Sequence, residues 1–278
     1  MAKDYKKVLT IQDVSCVGQC SLTVALPILS ACGHETAIIP SAVLSTHTAG
    51  FSGYTFTDLT EDIPAIQKHW QKEGITFDAM YTGYLGSTKQ VAYVKDIVEN
   101  MGAEGCIRII DPAMADNGAL YPGFDDEFVG AMADLCKVGD LILPNITEAC
   151  MMTGYEYKET YDEAYIEGLL QALEAMGLKN IVLTGVSYEA ATTGIIVRKN
   201  GVTEYYKHEK MAKGCHGTGD VYSSAFVGAL LKGKTEIEAA KIAGDYTLAC
   251  MKNTQDDPDH WYGVKFEPVL GQLIEMLK

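Results

Sequence analysis

Hydrophobic residues along this chain alternate between short continuous runs and longer stretches in which they recur every three or four positions. The short runs are rich in β-branched residues and predict buried strands, whereas the longer stretches predict amphipathic helices. The predicted strands are residues 7–12, 36–40, 79–83, 106–111, 140–144 and 180–185. The predicted helices are residues 19–32, 62–73, 88–101, 125–137 and 161–176. This alternation favours a parallel sheet covered by helices on both faces.

The pattern changes after the sixth strand. Residues 193–197 and 202–206 flank Asn200 and Gly201, a pair typical of a tight hairpin turn, and this predicts an antiparallel edge to the sheet. Two further helices are predicted at residues 235–253 and 266–277. The sequence has no linker rich in Pro, Gly or Ser and no internal repeat, so we expect one domain over residues 1–278.

Composition narrows the classes of ligand. The chain has 278 residues, of which 47% are hydrophobic, enough for a large core. Lys and Arg total 22 against 37 Asp and Glu, and the net charge of −15 disfavours nucleic acids and anionic membranes as partners. We therefore expect a small-molecule partner, and an anionic one must be attracted by local dipoles, cations or metal.

Cysteine spacing and hydropathy indicate the compartment. The eight cysteines are scattered without CxxC spacing, which favours reduced, packed thiols over a zinc or dithiol site. The N-terminal residues have no apolar run of signal-peptide length, and nowhere do eighteen uncharged apolar residues follow one another. These features predict a cytoplasmic protein.

The most informative segment is GCHGTGDVYSSAFVGALLKG, residues 214–233, in which a polar glycine turn leads into an apolar helix. Gly217 and Gly219, on either side of Thr218, let successive backbone N–H groups converge on an anion at the positive end of that helix. Asp220 would lie at the mouth of this anion site, where a carboxylate suits the deprotonation of an attacking hydroxyl in phosphoryl transfer. The alternative is that Asp220 only caps the helix.

Ligands of open α/β sheets bind beyond the carboxyl ends of the strands, so polar residues at those ends are candidates for a site. These are Gln12, Asp13, Gly83, Tyr84, Asp111, Pro112, Asn145, Glu148, Thr184 and Gly185. Asn145 and Glu148 lie one helical turn apart, which suits water-mediated magnesium binding near phosphates, but the same pair is a capping box, which the local pattern favours. Asp111, with Asp116, is either a loop carboxylate or a group that steers a metal.

Three further features have ordinary explanations. GALLKGKT, residues 228–235, satisfies the Walker A pattern, but Gly228 lies inside an apolar helical run rather than after a strand, so we predict a coincidence. His47, Thr48 and His216 either hydrogen-bond a ligand or satisfy loop backbone. Cys215 has no evident base beside it and is expected to be an inert thiol.

The motifs TIQ, STHT, TGYLGS, DPAM, PNITEA and GTGD occur in the order and approximate spacing found in pyridoxal kinases of the ribokinase-like superfamily, which the chain resembles over nearly its whole length. The resemblance implies a three-layer α/β/α fold with a central, mostly parallel sheet and an antiparallel edge. It also implies ATP-dependent phosphorylation of the 5′-hydroxymethyl group of pyridoxal, pyridoxamine or pyridoxine, with ATP, Mg²⁺ and a monovalent cation such as K⁺, in a homodimer. The alternatives are a hydroxymethylpyrimidine kinase and a non-catalytic vitamer-binding protein.

The resemblance also implies roles for individual residues. Asp220 would be the general base, and Gly217, Thr218 and Gly219 would form the anion hole. Asn145, Glu148, Asp111 and Thr184 would lie on the ATP side, with Asp111 and Glu148 toward magnesium. Gln12, Asp13, His47, Thr48 and Tyr84 would hold the pyridine ring.

One residue departs from the pattern of the family. Asp13 stands where pyridoxal kinases usually carry a serine that hydrogen-bonds the substrate ring. An ionised carboxylate only accepts hydrogen bonds, so it favours a protonated ring nitrogen or an amine. The preferred vitamer is therefore left open.

Overall fold

A nine-stranded sheet runs through the computed structural model, which describes residues 5–278. The strands of the chain are β1 (Lys7–Ser15), β2 (Glu35–Leu44), β3 (Phe56–Asp58), β4 (Phe77–Thr82), β5 (Gly102–Ile110), β6 (Ala115–Asp116), β7 (Ala119–Leu120), β8 (Leu141–Ile142), β9 (Asn180–Val186), β10 (Thr192–Lys199) and β11 (Val202–Glu209). The large sheet has the order β11-β10-β9-β8-β5-β4-β1-β2-β3, and β6 and β7 form a separate small hairpin. The central pairs are parallel, while β2/β3, β9/β10 and β10/β11 are antiparallel.

Helices cover both faces of the sheet. They are α1 (Leu22–Ala31), α2 (Ile63–Lys72), α3 (Thr88–Asn100), α4 (Asp126–Cys136), α5 (Ile146–Thr153), α6 (Glu163–Ala175), α7 (Thr218–Leu231), α8 (Glu236–Thr254) and α9 (Leu270–Met276). Helices α2 to α6 pack on one face through a hydrophobic cluster, and α1, α7, α8 and α9 pack on the other through a second cluster. The predicted fold class, a three-layer α/β/α arrangement with a mostly parallel sheet and an antiparallel edge, is confirmed. In the part of the chain that the structure describes, no helix is both long and apolar enough to cross a membrane.

Two strands extend further than their sequence pattern indicates. Strand β1 continues to Ser15, so Gln12 and Asp13 lie inside it rather than after it. Strand β9 ends at Val186, one residue beyond the predicted range 180–185, which already included Thr184 and Gly185. The end of β1 was therefore predicted too early, because polar residues at the end of a strand look like loop in sequence although the backbone ladder still holds them.

The antiparallel pairing of β3 with β2, at the opposite edge of the sheet from the hairpin, was not predicted. Strand β3 has only three residues, all exposed, and therefore carries no hydrophobic alternation. The predicted hairpin at Asn200 and Gly201 is confirmed, and both residues have positive φ angles of 50° and 79°, as a tight hairpin turn requires.

Helix α7 is buried around most of its circumference. Gly228 lies in its interior, and a Cβ there would come within 2.3 Å of the Cys32 Sγ atom. The Walker A match is therefore a coincidence, since this glycine lets two helices approach instead of forming a phosphate loop. Helix α8 starts with a capping box of Thr235 and Glu238.

Candidate active site

The turn before α7 requires glycine. Gly217 has a φ of 80°, and a Cβ on it would lie 1.8 Å from the carbonyl oxygen of Gln19. Gly217 is the N-cap residue of α7, and within residues 5–278 no side chain caps its first amides. The Thr218 hydroxyl donates to the Cys215 carbonyl at 3.1 Å. The uncapped amides at this positive helix end are available to an anion.

Asp220 is the third residue of α7 and does not cap the helix, since the N-cap position belongs to Gly217. Its carboxylate is half-buried, and the backbone of Ser21 lies near enough to lower its pKa slightly against the larger effect of burial. Burial, and then the nearby charge of Asp13, raise the pKa of Asp220 to about 7. A carboxyl group with this pKa can accept a proton near neutral pH, as a general base must.

Asp111 follows β5 and lies close to Asp220. Its Oδ2 atom accepts a hydrogen bond of 2.7 Å from the Ser223 hydroxyl, one helical turn after Asp220. Burial raises the pKa of Asp111 to about 7, the Ser223 bond opposes that rise, and the charge of Asp220 adds to it. The fully buried Tyr81 is close enough to both carboxylates for their charges to raise the pKa of its phenol further, after burial.

Asn145 and Glu148 form the capping box that the local pattern predicted. The Asn145 side chain accepts from the Glu148 amide at 2.9 Å, and Glu148 Oε2 accepts from the Asn145 amide at 2.8 Å. Glu148 Oε1 accepts from the Met114 amide at 3.2 Å. Burial first, and the charge of Asp111 second, raise the pKa of Glu148 well above its ordinary value. The cap therefore also places Glu148 beside Asp111.

This pair of carboxylates fits a magnesium ion that is shared with a nucleotide. Within the described residues no group of three His, Cys, Asp or Glu side chains could hold a metal. Mg²⁺ is commonly bound by one or two carboxylates together with phosphate oxygens and water. Both oxygens of Glu148 already accept backbone amides, so Asp111 is the better direct ligand and Glu148 the better water-mediated one.

Thr184 lies next to this pair across the sheet. It forms a parallel bridge with Asn145, and its amide donates to the Pro144 carbonyl at 2.9 Å. The residues predicted on the ATP side are therefore brought together at the ends of β5, β8 and β9.

On the other side of Asp220, β1 supplies two buried polar groups. Gln12 is fully buried, donates to Thr10 at 2.9 Å, and its Oε1 atom has no hydrogen-bond partner within residues 5–278. Asp13 is 4% exposed and accepts from the Ser15 hydroxyl at 2.9 Å. Burial raises the pKa of Asp13, and the nearby hydroxyls of Ser21 and Ser15 oppose that rise.

The loop after β2 holds His47 through its backbone contacts. The Nδ1 atom accepts from the Ala49 amide at 3.1 Å, and Nε2 faces the Tyr262 carbonyl at 2.5 Å. With these partners Nδ1 acts as the acceptor and Nε2 as the donor. Both ring nitrogens of His47 therefore contact loop backbone. Thr48 is exposed in the same loop.

Tyr84 and His216 complete this side. Tyr84 is half-buried, and burial and then the charge of Asp13 raise its pKa to about 12. The His216 ring lies 5.4 Å from that of His47, and burial lowers its pKa. Burial also raises the pKa of the Cys215 thiol, which agrees with the expected inert thiol.

Sequence reasoning missed Ser21, Tyr81 and Ser223. Ser223 follows Asp220 by three positions in a predicted helix, so its place on the same face was a usable signal. Tyr81 lay in a predicted strand, where an apolar environment offers no reason to single it out. Ser21 carries no sequence signal, because its contacts depend on an unusual backbone conformation.

The strand order, the glycine turn and the carboxylate-lined rim define a ribokinase-like protein. A sequence profile described as phosphomethylpyrimidine kinase matches residues 28–263. The chain belongs to the phosphomethylpyrimidine kinase family, and its predicted relationship to the pyridoxal kinases is confirmed.

Individual relatives agree with this assignment. The hydroxymethylpyrimidine/phosphomethylpyrimidine kinase of Aquifex aeolicus is 32% identical over 125 residues, which are 44% of this chain and about half (48%) of that relative. A Bacteroides thetaiotaomicron protein assigned as a phosphomethylpyrimidine kinase and crystallised with pyridoxal is 33% identical, with a TM-score of 0.90 over 96% of this chain and 95% of that one. The pyridoxal kinase of Lactobacillus plantarum is 30% identical, with a TM-score of 0.90 over 98% and 97% of the two chains.

Proposed function

We propose that this protein transfers the terminal phosphoryl group of ATP to the 5′-hydroxymethyl group of pyridoxal, pyridoxamine or pyridoxine. The observation that carries this proposal is Asp220, a carboxyl group with a pKa near 7 in the first turn of a helix whose leading amides are uncapped. A base beside an anion site is the arrangement that phosphoryl transfer to an alcohol needs. The likeness to the pyridoxal kinase of L. plantarum supports this class of substrate.

In the proposed reaction the amides of Gly217, Thr218 and Gly219 receive the terminal phosphate of ATP. Asp220 accepts the proton of the hydroxymethyl group while the oxygen of that group forms a bond to the γ-phosphorus. The bond between the γ-phosphorus and the bridging oxygen of the β-phosphate breaks, and ADP leaves. Asp111, and Glu148 through water, would hold Mg²⁺, which when bound neutralises charge on the phosphates. Asn145 positions Glu148, and Thr184 faces the nucleotide beside it. Because the net charge of the protein is −15, the attraction of ATP to the helix amides and to Mg²⁺ must overcome the repulsion from the whole protein.

The vitamer side is formed around Asp13. Its ionised form accepts from a protonated ring nitrogen or an amine, and the unpartnered Gln12 Oε1 offers a second acceptor. Tyr84 would pack its ring against the vitamer. His47 would line the vitamer site, and Thr48 would lie at the solvent-exposed edge of that site. Two acceptors favour substrates that present donors, so pyridoxamine and protonated pyridoxine are expected to bind at least as well as pyridoxal.

The second candidate is a hydroxymethylpyrimidine kinase. The matching family and the A. aeolicus relative favour it, and the same base and anion site would serve a pyrimidine alcohol. Use of K⁺ and assembly into a homodimer remain predictions from the resemblance.

A coupled ADP-release assay with ATP and Mg²⁺ tests these proposals together. It compares pyridoxal, pyridoxine, pyridoxamine and hydroxymethylpyrimidine, with ATP alone as the blank, and identifies each phosphorylated product by mass spectrometry. We expect the highest kcat/KM with a vitamer, and a higher value with the pyrimidine would establish the second candidate. If ligands raise the Tm but no alcohol yields ADP, the protein binds vitamers without phosphorylating them.

A further inference from the structure

Strand β9 carries a β-bulge at the edge of the candidate active site. Thr184 and Val186 pair with adjacent residues of β10, so Gly185 between them is the extra residue of the bulge. Gly185 has a φ of 77° and is exposed, whereas Val186 is buried. Bulges are common beside active sites, where they redirect the neighbouring side chains. The neighbour here is Thr184, on the ATP side of the site.

A bulge at glycine needs support from outside the pair of strands. Glycine is conformationally free, and the extra residue of a bulge is left out of the backbone ladder. The Tyr161 hydroxyl supplies this support from the segment that precedes α6. It donates to the Gly185 carbonyl at 3.3 Å and accepts from the Ser187 amide at 3.0 Å. One hydroxyl group therefore bridges the two sides of the bulge.

A second tyrosine hydroxyl reaches the same bulge from β11. Tyr205 lies on that strand, which is separated from β9 by β10. Its side chain passes Gly194 of β10 so closely that a Cβ atom on this glycine would lie 2.6 Å from the tyrosine ring. The Tyr205 hydroxyl donates to the Val186 carbonyl at 3.2 Å. Gly194 thus leaves the room that the ring needs to cross β10.

The bulge lies where a nucleotide is expected. Ligands of open α/β sheets bind beyond the carboxyl ends of the strands, and the bulge is at that end of β9. The parallel bridge between Thr184 and Asn145 joins it to the start of α5. Among residues 5–278, a Cβ atom built on Gly185 would come within 4 Å of no neighbour, so open space faces its backbone.

We propose that Tyr161 and Tyr205 are positioning residues for the nucleotide. Their hydroxyls hold the bulge in one conformation, so that Thr184 and the bare backbone of Gly185 face ATP before it binds. When a hydroxyl is lost, the glycine samples other conformations, and ATP must order the bulge as it binds. The inference rests on the nucleotide site proposed above and adds the side chains that fix one edge of it.

Tyr161→Phe tests the inference, since it removes the hydroxyl and keeps the ring. Loss of a neutral hydrogen bond should raise the KM for MgATP and the Kd for MgADP by about three- to tenfold. The kcat and the KM for the vitamer should stay within about twofold, because the contact acts equally on the bound substrate and on the transition state. Tyr205→Phe should raise the same two nucleotide constants by a smaller factor, since its hydroxyl holds one backbone group rather than two.

Tyr165→Phe is the matched control. The ring of Tyr165 stacks on that of Tyr161 with centroids 5.5 Å apart, and its hydroxyl contacts the Glu156 carbonyl and the Cys150 thiol, both outside β9. Tyr165 is buried and Tyr161 half-buried. Tyr165→Phe should therefore lower the Tm at least as much as Tyr161→Phe, but leave the KM for MgATP unchanged. The comparison separates a loss of stability from a loss of nucleotide binding.

The inference is wrong if Tyr161→Phe keeps the wild-type nucleotide constants, if it raises the KM for the vitamer equally, or if Tyr165→Phe weakens MgATP binding as much. A wild-type protein that binds no MgADP would also overturn it. Failure of the proposed function alone would look different, because the wild type would then bind MgADP but release none from ATP with any alcohol. In that event calorimetric titration of MgADP into the three variants still decides the inference.

Discussion

Replacing Asp220 with asparagine should abolish turnover and stabilise the fold at the same time. The amide keeps the shape of the side chain, but it cannot take a proton from the alcohol. General-base help is typically worth about a hundred- to ten-thousand-fold in rate. At about 1.4 kcal/mol for each tenfold, kcat should fall by the equivalent of roughly 3–5 kcal/mol in the barrier.

The gain in stability follows from the pKa of Asp220. Burial raises that pKa from 3.8 to about 7, so the ionised form is less stable in the folded chain than in the unfolded chain. This ionisation lowers the free energy of unfolding. The loss is absent below the pKa of Asp220 in the unfolded chain, grows as pH rises, and is complete above its pKa in the folded chain. Its upper limit is about 4 kcal/mol at 1.36 kcal/mol per pH unit, and contact with solvent in the cleft reduces it. Asp220→Asn should therefore raise the Tm by a few degrees at pH 8 and hardly at all near pH 4.

The assay is ADP release under saturating vitamer and ATP, alongside thermal melts from pH 4 to pH 8. Glu104→Gln is a matched control, since Glu104 is exposed at the opposite end of β5 from Asp111 and should alter neither property. Turnover within tenfold of wild type in Asp220→Asn would remove Asp220 from its role as base. A Tm gain that did not depend on pH would refute the argument from burial.

The other predictions concern neighbouring groups. The kcat/KM of the wild type should rise with pH through about 7, as Asp220 loses its proton, and a profile flat from pH 5 to pH 8 would contradict this. Gly217→Ala should lower the Tm by several degrees and kcat/KM by a large factor, since the new Cβ overlaps a backbone carbonyl. An unchanged Tm would show that the turn adapts to the added methyl group. Ser223→Ala should raise the KM for MgATP several-fold at pH 7 and less at pH 8, because it removes the hydrogen bond that lowers the pKa of Asp111; an equal effect at both pH values would speak against this cause. Lys234→Ala should leave the KM for ATP unchanged, and a tenfold rise would revive the Walker A interpretation.

Much of the fold could be predicted because, in this chain, the spacing of hydrophobic residues along each strand and helix matches the residues that are buried. The central strands are apolar on both faces and their helices are amphipathic, so the parallel core and its helical layers follow from the pattern. The hairpin at Asn200 and Gly201 follows from turn chemistry. Strand β3 did not follow, because an exposed edge strand of three residues owes its pairing to tertiary contacts alone.

The candidate site was predictable in its composition but not in its geometry. The order of polar residues at strand ends indicated that Asp111, Asn145 and Thr184 would share one rim. The sequence could not show that Glu148 acts as a cap and faces Asp111 at once, because both arrangements use the same spacing. It could not reveal Ser21 either, since a positive φ at a serine is imposed by the packing around it.

A crystal structure of the protein with pyridoxamine, Mg²⁺ and a non-hydrolysable ATP analogue tests the central claim most directly. The account predicts that the terminal phosphate lies against the amides of Gly217, Thr218 and Gly219. It also predicts the hydroxymethyl oxygen at hydrogen-bond distance, about 3 Å, from the Asp220 carboxylate. A terminal phosphate bound elsewhere, or a hydroxymethyl group that points away from Asp220, would contradict it.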